Sequence, residues 1–61
     1  MATTKMFSEA RAAALLARRH RELSLLLRKD GDVFGAIEFA GSACELEKLT
    51  SALQARARAT A

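Results

Sequence analysis

Between residues 8 and 29 the apolar positions follow a helical period. Ala12, Leu15, Leu16, Leu23, Leu26 and Leu27 gather on one side of a wheel stepped at 100° per residue. Arg11, Arg18, Arg21, Arg28 and Lys29 gather on the other, with Ala14 and Leu25 among them. The pattern predicts a first helix over residues 8–29. Ser8 is its expected N-cap, and Phe7 is set to staple onto Ala12. Arg28 and Lys29 suit the negative end of the helix dipole. Arg19 interrupts the leucine stripe. A buried, unpaired guanidinium is costly, so Arg19 is expected either to carry its head to water or to pair with a glutamate of the second segment.

Asp30-Gly31-Asp32 is the clear turn signal. Gly31 supplies the left-handed residue that closes one helix, and Asp32 caps the next. The turn is too short for a calcium loop. The segment beyond it, VFGAIEFAG, has strand-forming residues, but its polar positions do not alternate, which favours helix. Ser42-Ala-Cys-Glu45 has the form of a capping box after Gly41, so a second helix over residues 33–58 could be continuous, kinked or broken at 41–42. The pattern leans towards continuous or kinked. On a continuous helix, Val33, Ile37, Ala40 and Cys44 form one stripe. Phe39, Leu46, Leu49, Leu53 and Ala57 form another about 160° away, so the buried face is expected to change near residue 41. Residues 1–6 and 59–61 are expected to fray.

The chain therefore reads as one all-α domain over residues 1–61, a helical hairpin with more apolar surface than one seam can cover. Only ~60% of the unfolded surface of so short a chain is buried on folding, and domains of this size usually rely on a staple or a second copy. A dimeric four-helix bundle is the expected solution, with Leu16, Arg19, Leu23, Leu27, Phe39, Leu46, Leu49 and Leu53 as its protein interface.

Composition narrows the function. There is no proline, and Cys44 is the lone cysteine, which rules out an internal disulfide and suits a reducing cytoplasm. No apolar run approaches a membrane span. The Arg-, Ala- and Leu-rich N-terminal third resembles a transit peptide in composition. Glu9 and Glu22, and the short remainder that cleavage would leave, argue against that. Three phenylalanines are too few for a base-stacking platform.

The net charge of +3 is unevenly divided. Residues 1–31 carry seven basic and three acidic side chains, and residues 32–61 three and four. Glu38, Glu45 and Glu47 are thus expected to meet arginines of the first helix. His20 and Cys44 stand at nearly the same height in a hairpin, but more simply serve as a boundary residue and a small apolar one. No catalytic constellation, metal or cofactor is expected. The arginine row, Arg11, Arg18, Arg21, Arg28 and Lys29, is ~26 Å long and could follow phosphates along a nucleic-acid duplex. In size and expected architecture the chain resembles the RNA-binding helical-hairpin dimers that regulate plasmid copy number. The reading is a small non-enzymatic regulator or adaptor acting as a homodimer through helix-mediated contacts, with a larger protein as a further partner. The alternative is a nucleic-acid-binding regulator.

Overall fold

The computed structural model describes residues 2–60, with side chains from Thr4 onward, as two helices packed side by side: α1 (Ala2–Lys29) and α2 (Val33–Thr60). Each has 28 residues, about 42 Å at the α-helical rise, which accounts for the 45 Å length of the molecule. The described parts of both termini are helical rather than frayed. Ser8 is an exposed residue inside α1, not its cap.

The turn forms as its residue types require. The Gly31 amide donates to the Arg28 carbonyl and the Asp32 amide to the Leu27 carbonyl, the two bonds of a Schellman closure. Gly31 sits at φ 89°, where a side chain would be strained. Asp32 then caps α2: its Oδ1 accepts from the Gly35 amide at 2.9 Å, and its carbonyl accepts the first intrahelical bond, from Ala36.

α2 runs unbroken through Gly41 and Ser42. The Ser42 hydroxyl, which a capping box would have turned towards its own helix start, instead meets His20 Nδ1 across the hairpin at 3.0 Å.

The seam departs from the leucine stripe. On α1 the buried residues are Ala10, Ala13, Ala17 and Ser24, with Met6, His20 and Leu27 half-buried between and beside them. On α2 they are Ala36, Ala43 and Ala57, interleaved with half-buried Phe39, Leu46, Thr50 and Leu53. Both ladders alternate steps of three and four, the seven-residue repeat of a two-helix seam. Along each ladder small buried residues alternate with larger half-buried ones, and across the seam His20 meets Phe39 and Ser42 while Ser24 meets Ala36. Two backbones can approach closely only where such side chains alternate. That is why the seam selects alanine and turns Leu15, Leu16 and Leu26 to solvent.

For the same reason α2 does not change its buried face at residue 41. The ladder from Ala36 to Ala57 serves throughout, and Val33 and Ile37 stay exposed. Polar seam groups are satisfied: Ser24 Oγ donates to the Ala36 carbonyl at 2.6 Å, and Thr50 Oγ1 to the Leu46 carbonyl at 2.8 Å.

Candidate interaction surfaces

The seam register divides the surface into two flanks. Arg21 follows the seam residue His20, and Glu47 follows the seam residue Leu46. Their side chains meet through Nε–Oε2 at 2.9 Å and Nη2–Oε1 at 2.6 Å. Residues that follow a seam position therefore share one flank, and residues that precede one share the other.

The first flank carries Arg11, Arg18, Arg21, Arg28 and Arg58, with Glu47 as its lone acid, for a net charge of +4. The whole chain has +3, so the remainder of the molecule is net negative by one. Arg11, Arg18, Arg28 and Arg58 are exposed, and no ion pair holds them among the described residues. Arg21 is committed to Glu47. That hydrogen bond lowers the Glu47 carboxyl below its ordinary value and raises the guanidinium further. Lys29, read from the sequence as part of this row, lies on the outer back of α1 instead. Leu25, Val33 and Ile37 give the turn end of the flank some exposed apolar area.

The second flank carries Leu16, Leu23, Leu26 and Leu49, with Ala12, Ser42 and Ala52 between them. Leu16, Leu26 and Leu49 are 51%, 57% and 48% exposed, and Leu23 is half-buried. Leu15, Leu16, Arg18, Arg19 and Glu22 line a shallow groove behind it on α1. The charges here balance: Lys5, Arg19 and Arg56 against Glu9, Glu38 and Glu45. Arg19 is exposed, so its head reaches water rather than a buried partner.

The residues expected at a protein interface thus fall into two groups. Leu27, Phe39, Leu46 and Leu53 are half-buried along the hairpin's own seam, while Leu16, Leu23, Leu49 and Arg19 lie on the leucine flank. Of the three glutamates expected to meet arginines of α1, Glu47 does so. Glu45 is 3.5 Å from Lys48 of its own helix.

His20 and Cys44 do not meet. His20 stacks edge-on against Phe39, with ring centroids 5.4 Å apart at 88°, and Cys44 is exposed. Among the described residues no three His, Cys, Asp or Glu side chains cluster as metal ligands, and no helix is long and apolar enough to cross a membrane. No family model matches the chain, nor does any curated protein or solved structure.

Proposed function

We propose that the chain is a small non-enzymatic adaptor or regulator that acts through protein–protein contacts as a homodimer, with the leucine flank as its contact surface. The observation behind this reading is the placement of large apolar side chains. Every buried apolar residue described is an alanine, and no large side chain is fully buried, while Leu16, Leu26 and Leu49 stand on one flank. A core of alanines gives little transfer energy, at ~0.8 kcal/mol per buried methylene, so covering exposed apolar side chains such as these leucines is a stabilisation still open to the chain. The lone exposed thiol of Cys44 supports placing this action in a reducing cytoplasm.

Light scattering on Leu16→Glu/Leu49→Glu beside the unchanged chain tests the reading. The unchanged chain is expected at twice the monomer mass and the variant at the monomer mass, with helix retained by circular dichroism. Equal masses for the two chains would refute it.

A second reading has its own support in the +4 of the arginine flank. Exposed guanidiniums along ~26 Å of helix could contact the phosphates of a duplex. Replacing Arg11, Arg18 and Arg28 with Gln should then abolish RNA or DNA binding and flatten its salt dependence. Binding that survives unchanged would reduce the row to a solvated face.

A further inference from the structure

From the arrangement of charge on the leucine flank, we infer that the second copy docks with its turn at the same end, related by a twofold axis parallel to the helices. This rests on the homodimer reading and adds the geometry of the partner.

Only the leucine flank can face a copy of itself without burying charge at its middle. Its inner positions, next to the seam, are Leu16 and Leu23 on α1 and Gly35, Ser42 and Leu49 on α2. Glu9 and Arg56 are confined to the open end. The inner positions of the other flank include Arg21, Arg28 and Glu47, and pairing two such flanks would bury charge at the centre of the interface.

Two twofold arrangements can then stack the hairpins. An axis across the helices lays α1 on α1 of the partner, with the turns at opposite ends. An axis along the helices lays α1 on α2 of the partner and preserves height, so residues level with each other within one chain become level across the interface.

That second arrangement sorts the flank. Arg19 stands twelve residues before Gly31 and Glu45 fourteen after it, so each Arg19 would face a Glu45. Glu9 and Arg56 stand twenty-two before and twenty-five after, and would also face each other. Leu16 would meet Leu49, and Ala12 would meet Ala52, at similarly matched heights. Within one chain Arg19 and Glu45 lie at opposite edges of the flank and form no ion pair with each other. A standard interface removes about 800 Å² per partner, roughly one-sixth of the 4704 Å² of this chain, an area that one flank of a hairpin can supply.

The test uses the full chain with Cys44→Ser and a spin label at Asp30→Cys. Light scattering is run alongside electron paramagnetic resonance distances. A dimer with labels about 10–20 Å apart, one or two interhelix spacings, is the expected result. A dimer with labels separated by nearly the 45 Å length of the hairpin would overturn the shared-end geometry while leaving the homodimer intact. A monomer would overturn both. Charge reversal provides a second readout. Arg19→Glu and Glu45→Arg should each weaken the dimer by about tenfold, and together restore it, because each single change sets like charges opposite each other twice. Absence of rescue in the double variant would also count against the pairing.

Discussion

Two glycines of the same chain carry opposite predictions. Gly41 lies in the interior of α2, exposed, with open space where a Cβ would project. Gly41→Ala should therefore stabilise the protein by about 0.5–1 kcal/mol, the helix-propensity difference. Gly31, at φ 89°, also has open space around it, but its backbone conformation is strained for any side chain. Gly31→Ala should destabilise by about 1–2 kcal/mol. Thermal melts of the two variants read both effects.

Glu47 gives a pH prediction. Its folded-state carboxyl titrates below the ordinary value of 4.5 because Arg21 donates to it. A group whose pKa falls on folding stabilises the native state above the unfolded value and loses that contribution as pH drops through the folded value. The Arg21–Glu47 link should thus be fully present at neutral pH and fade below about pH 4.5. In Arg21→Gln, a carbon-detected NMR titration should return Glu47 to the ordinary range. These residue-scale features were partly legible: the sequence marked Gly31 and Asp32 by type. Gly41 and Ser42 have the form of a capping box yet lean towards a continuous or kinked helix, and the unbroken α2 with the His20–Ser42 bond resolves that choice, while the positive φ of Gly31 marks the true turn.

At the scale of the helices, the energetic order of leucine and alanine is inverted from that of an ordinary core. Ala43 is fully buried in the seam, so Ala43→Leu should force the helices apart and cost about 1–3 kcal/mol or more. Leu15, 60% exposed on the outer back of α1, should tolerate Leu15→Ala at under about 0.5 kcal/mol, far below the 2–5 of a buried leucine. Denaturant unfolding of the pair measures the inversion directly. The hairpin, its turn and its all-helical class follow from residue types along the chain. The seam does not, because a wheel weighted by hydrophobicity points to the bulkiest stripe, while close helix approach selects the smallest. Ala12, Ala13 and Ala14 are alike in type, and only Ala13 is buried. The signal that separates them is the pairing of ladders, in which Ser24 of α1 meets Ala36 of α2 and His20 meets Phe39, which needs both helices read together. The arginine row was legible because charge avoids any seam. That one of its members is tied to Glu47 and another, Lys29, faces away became visible only with the register.

For the whole molecule, an alanine-cored hairpin 45 Å long and about 9 Å at its narrowest is a thin object to hold folded by itself. Covering the leucine flank with a second copy would couple folding to association, so stability would depend on concentration. The thermal midpoint across a hundredfold dilution, followed by circular dichroism, tests this most directly. A midpoint that falls by several degrees on dilution is expected, with Leu16→Glu/Leu49→Glu already at a low, concentration-independent value. A midpoint for the unchanged chain that stays fixed over that range, at a mass of one chain, would contradict it.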